Sequence, residues 1–279
     1  MDLKTRRVAA IHDISGFGRS SMTTAIAVLS SMGMQVLPFP TAVLSSHTGI
    51  EGYTFRDLTP DFDAYIRHWK SLNIRFDAIY SGFLGSSEQT AFVSRFIDEF
   101  KDENTVVLVD PVMGDGGKCY KTCTKELCSG MRKLAKKADI ITPNLTEAGI
   151  LVGGHNPSKL PGCESDLSGW LDELSDLGPE KIVITGMDFL YGKIGVACRN
   201  TISGVTDIFY NDSVDGYFPG TGDLFASVFL GSYLDGLGMT KSAEKAADFV
   251  KKSAALTVRS GENPIEGVQF EKLLFELIG

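Results

Sequence analysis

The chain has 279 residues, 43% of them apolar, and a net charge of −8 from 27 basic and 35 acidic side chains. That is enough chain to bury a large core, and with no lysine- or arginine-rich block it excludes nucleic acid as the main partner, since backbone binding needs clustered positive charge. Acidity does not exclude ATP, because magnesium neutralises much of the polyphosphate charge. No stretch reads as a membrane span. Residues 20–46 carry no charged side chain, but Gly33, Pro38 and Pro40 interrupt them, and the apolar run Val8–Ile11 is too short for a signal-peptide core. Five cysteines, an odd number, point to a reducing, cytoplasmic setting; Cys119, Cys123 and Cys128 match no zinc spacing and read as reduced thiols.

In chain order, Val8–His12 predicts a short buried strand, the turn Asp13–Gly18 follows, and a helix runs from about Ser21 to Met32. Gly16-Phe17-Gly18 is no dinucleotide fingerprint, because Ser21 stands where the third glycine belongs; Val112 and Cys119 likewise break any Walker loop ending at Gly117-Lys118. Gln35–Leu44 predicts a second strand, placed near an edge by its prolines, and Ser45–Leu58 a polar, mobile flap. A helix over Asp61–Leu72, a strand over Asp77–Ser81 and the loop Gly82–Gly85 come next. Ser86 is set to cap a helix whose apolar face is Phe92, Val93, Phe96, Ile97 and Phe100. The β-branched run Thr105–Val109 predicts a central strand that delivers Asp110-Pro111-Val112-Met113-Gly114-Asp115 to the sheet edge.

A helix over Lys125–Lys136 and a strand over Ala138–Ile141 lead into Thr142-Pro143-Asn144-Leu145-Thr146-Glu147, which opens another helix. Residues 155–163 read as a Pro/Gly loop, Glu164–Leu177 as a helix and Lys181–Thr185 as a strand. Gly195–Cys198 and Val205–Tyr210 predict an antiparallel edge. Beyond the polar loop Asn211–Tyr217, the corner Pro219-Gly220-Thr221-Gly222-Asp223 runs into an apolar helix. Ala243, Ala246, Ala247, Val250, Ala254 and Thr257 then define one close-packing helical face. This alternation predicts one α/β domain over residues 1–279, with a mainly parallel sheet and its polar loop residues gathered at one sheet edge.

Three features carry chemistry, each with a plainer alternative. The turn Gly220-Thr221-Gly222 lets backbone amides at a helix start meet an anion, and Asp223 beside it either takes a proton from an attacking hydroxyl or only complements the helix dipole. Asp110 and Asp115 can hold a hydrated cation or order their turn. Asn144 and Glu147 have the spacing of a capping box.

Together, Gly220–Asp223, Asp110–Asp115 and Thr142–Glu147 resemble the signatures of the ribokinase superfamily. Ser81-Gly82-Phe83-Leu84-Gly85-Ser86, with Ser45-Ser46-His47-Thr48-Gly49, narrows the resemblance to the pyridoxal kinase family, in a form similar to bacterial pyridoxamine kinases. The likeness spans about residues 8 to 260. It implies a three-layer α/β/α sandwich without a separate lid domain, a homodimer, and ATP-dependent phosphorylation of the 5′-hydroxymethyl group of B6 vitamers with Mg2+ and a monovalent cation, K+ or Na+. It places Asp223 as catalytic base and the backbone of Gly220, Thr221 and Gly222 as the anion hole. Asp110, Thr142 and Thr185 fall near the monovalent cation and triphosphate, and Asp115, Asn144 and Glu147 serve ATP and its magnesium. Asp13, Leu44, His47, Thr48 and Phe83 fall where the family holds the pyridine ring.

Two positions depart from the family pattern: Asp13 stands where many pyridoxal kinases have serine, and Phe83 where many have tyrosine. An added negative charge near the ring favours a cationic vitamer, so pyridoxamine is the expected preference. The nearest rival is a hydroxymethylpyrimidine kinase of the same superfamily, in which cysteine commonly replaces the residue at Asp223. A non-catalytic carrier of B6 vitamers is the rival from another class, and it has no use for a base or a cation site.

Overall fold

The computed structural model describes residues 4–153 and 159–278. The strand β1 (Arg7–Ser15) is followed by α1 (Ser21–Ser31), β2 (Gln35–Leu44), the short β3 (Phe55–Asp57), α2 (Phe62–Ser71), β4 (Ala78–Ser81), α3 (Ser87–Phe100) and β5 (Val106–Val109). A hairpin of β6 (Gly114–Asp115) and β7 (Lys118–Cys119) precedes α4 (Lys125–Ala135), β8 (Ile140–Ile141), α5 (Leu145–Val152) and α6 (Glu164–Ser175). The chain continues through β9 (Lys181–Met187), β10 (Lys193–Asn200), β11 (Thr206–Asp212), α7 (Thr221–Leu234) and α8 (Met239–Ser260).

Nine strands form one sheet in the order β11-β10-β9-β8-β5-β4-β1-β2-β3. The six from β9 to β2 run parallel, while β10, β11 and β3 pair antiparallel at the two edges. Both faces are covered, as the uninterrupted apolar strands require. On one face Ala9, Ile11, Ile79, Val107, Ile141 and Ile182 pack against α2 to α6; on the other Val8, Ala78, Tyr80, Leu108, Ile140 and Val183 meet α1, α7 and α8. Alternate residues of one strand therefore feed opposite cores, which makes the three layers.

The chain leaves β1 for β2 on one side and, after β3, returns to β4 on the other. The carboxyl ends of β1 and β4 thus flank a topological switch point, where open α/β sheets present a ligand crevice. Helix α7 lies beside this crevice, and every residue from Leu224 to Ser232 is buried between the sheet, α1 and α8. A helix apolar all round belongs to the interior.

Most predicted elements are present with ends shifted by a few residues. Ser45–Leu58 is more ordered than a free flap: Phe55–Asp57 pairs with Ala42–Leu44, and the buried Gln89 amide donates to Thr41 O, Asp57 Oδ1 and Thr59 Oγ1, each at 3.0 Å. Strand β1 runs three residues beyond His12, so Asp13 belongs to the sheet and not to the following turn. Residues 155–158 of the predicted Pro/Gly loop lie outside the described residues. The thiols of Cys123 and Cys128 are 2.8 Å apart, and both are free.

Candidate active site

Gly220 is the N-cap of α7 in the left-handed region, φ +80°, and a Cβ there would clash with the carbonyl of Arg19. Only glycine meets both demands. The amides of 221–223, the first of α7, have no acceptor among the described residues. They form, with the helix dipole, an anion seat. The hydroxyl of Thr221 is not part of that seat, since it donates to Phe218 O at 3.1 Å. Gly222 is exposed and close to Asp110: a Cβ on it would lie 3.9 Å from Asp110 Oδ2.

Asp223 stands in this first turn with its side chain 12% exposed. Its Oδ2 accepts the amide of Ser21, the first residue of α1, at 2.8 Å. Ser21 has φ +52°, an uncommon conformation for a non-glycine residue that turns this amide onto the carboxylate. Burial first, then Asp110 and Asp13, push Asp223 up to about 8, against the lowering by the Ser21 amide. A carboxyl near neutrality suits a general base.

The second part of the site follows β5 and β8. Asp110 is buried, accepts the Thr142 hydroxyl at 3.0 Å, and is raised by burial. Glu147 is also buried, and its two oxygens accept the amides of Met113 at 3.1 Å and Asn144 at 2.9 Å. Asn144 Oδ1 accepts the Glu147 amide in return, so the capping box is present in full. Burial and the nearby Asp110 hold Glu147 well above the usual carboxylate range. The Asn144 amide group reaches Gly114 O at 2.8 Å and ties α5 to the β6–β7 hairpin. That hairpin turns at Gly116 and Gly117, both at positive φ, and presents exposed Asp115. Thr185 in β9 lies beside Asn144, its amide donating to Pro143 O at 3.0 Å.

Among the described residues no lysine or arginine pairs with Asp110, Glu147 or Asp223, and no three His, Cys, Asp or Glu side chains converge to cage a metal. The carboxylates here are crowded and desolvated: burial raises Asp110, and burial with the nearby Asp110 raises Glu147.

The residues predicted to bind the ring lie in or just after β1, β2 and β4 and differ in exposure. Asp13 is buried, with Oδ2 accepting the Ser15 hydroxyl at 2.8 Å, and burial raises it. The carbonyl of Leu44 accepts the Gly16 amide, and the His47 amide donates to Phe17 O, so the loops after β1 and β2 are joined. Both ring nitrogens of His47 are engaged, Nε2 with Ile265 O at 2.7 Å and Nδ1 with the Gly49 amide at 3.2 Å, which leaves it a wall and a tie. Phe83 is buried, whereas Thr48 is exposed.

Sequence reasoning missed three residues here. His12 is enclosed with Nδ1 3.9 Å from Asp223 Oδ1, and Tyr80 meets its ring edge-on at 4.3 Å between centroids. Both sit in apolar strand runs that conceal a site role. Tyr120, next to the hairpin, is partly exposed, and its hydroxyl is raised by desolvation and then by Glu147 and Asp115. The Asp115-Gly116-Gly117-Lys118 turn signal could have located it.

A family model described as phosphomethylpyrimidine kinase matches residues 21–266. Pyridoxal kinase of Bos taurus is 30% identical over 238 residues, covering 78% of this chain and 74% of the bovine protein. A crystal structure from Bacteroides thetaiotaomicron, described as a phosphomethylpyrimidine kinase and solved in a form with pyridoxal, is 39% identical, with a TM-score of 0.94 over 98% of this chain and 96% of that one. Pyridoxal kinase from Lactobacillus plantarum is 28% identical, with a TM-score of 0.89 over 99% and 97% of the two chains. The chain belongs to the family of phosphomethylpyrimidine and pyridoxal kinases.

Proposed function

We propose that this protein transfers the γ-phosphoryl group of ATP to the 5′-hydroxymethyl oxygen of a B6 vitamer. The observation that carries the reading is the placement of Asp223, directly beside the open amides of 221–223 and anchored by Ser21 at 2.8 Å. Asp223 takes the hydroxyl proton as the oxygen forms its bond to phosphorus, and the bond from phosphorus to the ADP oxygen breaks in line with it. The 221–223 amides hold the equatorial oxygens of the transferring group. Asp110, Asp115 and Glu147 would hold Mg2+, directly or through water, and the ion would neutralise charge on the triphosphate. Asp110 and Thr142 are the pair that would border K+ or Na+.

The ring of the vitamer belongs in the crevice at the carboxyl ends of β1 and β4, between Phe83, Leu44 and the His47 wall, with Asp13 beneath. The pyridoxal-bound form of the 39% identical relative supports a pyridine substrate. The description of the matching family favours hydroxymethylpyrimidine as the second reading. A homodimer is the assembly the resemblance implies, and sedimentation of the purified protein tests it. For the reaction, ATP turnover is measured with pyridoxal, pyridoxine, pyridoxamine and hydroxymethylpyrimidine, and the product is weighed by mass spectrometry. A vitamer 5′-phosphate is expected; turnover with the pyrimidine alone would overturn the reading.

A further inference from the structure

His12 lies near the carboxyl end of β1 with no exposed surface, and burial pushes its imidazole down to about 3. The ring is neutral, with one nitrogen carrying a proton and the other a lone pair. Neither nitrogen has a hydrogen-bond partner among the described residues, an expensive state for an enclosed polar group. Its surroundings fix where it points. Tyr80 packs edge-on against it, and a Cβ on Gly82 would clash with Nδ1 and Cε1, so the ring has room only because residue 82 is glycine. The acceptor facing Nδ1 is Asp223 Oδ1, 3.9 Å away, while the other oxygen of Asp223 is held by Ser21.

We propose that His12 is a positioning residue for Asp223: on substrate binding Oδ1 closes the remaining gap and accepts the Nδ1 proton in a hydrogen bond, so that His12 and the Ser21 amide together fix the carboxylate plane. A lone pair then stays free for the substrate hydroxyl. His12 itself neither gains nor loses a proton. The proposal rests on the reading of Asp223 as base.

The test compares wild type, His12→Leu, His12→Asn, Asp223→Asn and the double variant His12→Leu/Asp223→Asn in steady-state ATP turnover with pyridoxal, with melting temperatures recorded for each. Asparagine keeps an N–H donor near the Nδ1 position, whereas leucine fills volume without one. His12→Leu is expected to lower kcat about tenfold or more, the worth of a hydrogen bond to a charged group, with KM for either substrate changing less than about twofold. His12→Asn recovers most of that loss, and His12→Leu costs nothing further in the residual turnover of Asp223→Asn. A kcat for His12→Leu within about twofold of wild type, an equal loss in His12→Asn, or the same loss again in the Asp223→Asn background overturns the proposal. Gly82→Ala, which drives a methyl group into the Nδ1 edge, must lower kcat selectively if His12→Leu does not fold. Full activity in Asp223→Asn overturns the base reading as well; an inactive Asp223→Asn beside a normal His12→Leu overturns only the role of His12.

Discussion

The amide of Ser21 and the Oδ2 of Asp223 meet at 2.8 Å, joining the first turn of α1 to the first turn of α7 across 202 residues of chain. Two helix N-termini therefore converge on one carboxylate. Their dipoles favour its charged form, while burial, Asp110 and Asp13 oppose it.

This balance has a consequence for stability. Asp223 is raised to about 8 from an ordinary value near 3.8, and Asp110 is raised by burial. A carboxyl raised on folding contributes stability that is complete below its unfolded pKa and is lost as pH rises through its folded value. Without Mg2+ and ATP, the melting temperature is expected to fall between about pH 5 and pH 9. Asp223→Asn removes one such group and is expected to melt higher than wild type at pH 9, by about 2–4 °C for each kcal/mol relieved. Calorimetry at both pH values checks this, and equal melting temperatures at pH 9 would contradict it.

Gly220 carries a conformational and a steric demand together. Gly220→Ala is expected to cost roughly 1–3 kcal/mol of stability from the left-handed backbone. Movement of the Arg19 carbonyl away from the new methyl group would also displace the amides of 221–223, so kcat falls with the melting temperature. Denaturant titration alongside steady-state kinetics measures the two effects, and an alanine variant with wild-type values of both would show that the turn is not constrained.

Asp13 remains the position expected to rank the vitamers. Its burial and its bond from Ser15 temper the charge, yet it lies close enough to Asp223 to raise it. Asp13→Ser is expected to lower kcat/KM for pyridoxamine relative to pyridoxal, by about tenfold for the loss of one charge-assisted hydrogen bond. The ratio of the two specificity constants is the measurement. An unchanged ratio would remove Asp13 from specificity.

Local signals made much of this site legible. The capping box Asn144–Glu147, the Ser86 cap and the glycine corner are all set by residues within a few positions of one another. The alternation of strands and helices likewise announced a parallel sheet, and the weaker runs of β10 and β11 an antiparallel edge. What stayed hidden depends on strand order. His12 reads as one more residue of a buried strand until β4 is placed beside β1, which brings Gly82 against the ring, and α7 beside α1, which brings Asp223 to face Nδ1. The two-residue strands β6 and β7 are too short for periodicity to register, and β3 is formed by only three residues whose place is fixed by Gln89, far along the chain.

The central claim is that Asp223 removes the proton from the substrate hydroxyl, and single-turnover phosphoryl transfer from ATP to pyridoxal in Asp223→Asn tests it most directly. The variant is expected to bind pyridoxal nearly as wild type does, because its shape is kept, and to transfer the phosphoryl group at least about 100-fold more slowly, the low end for loss of acid–base catalysis. Transfer at the wild-type rate by a correctly folded Asp223→Asn protein would contradict the account.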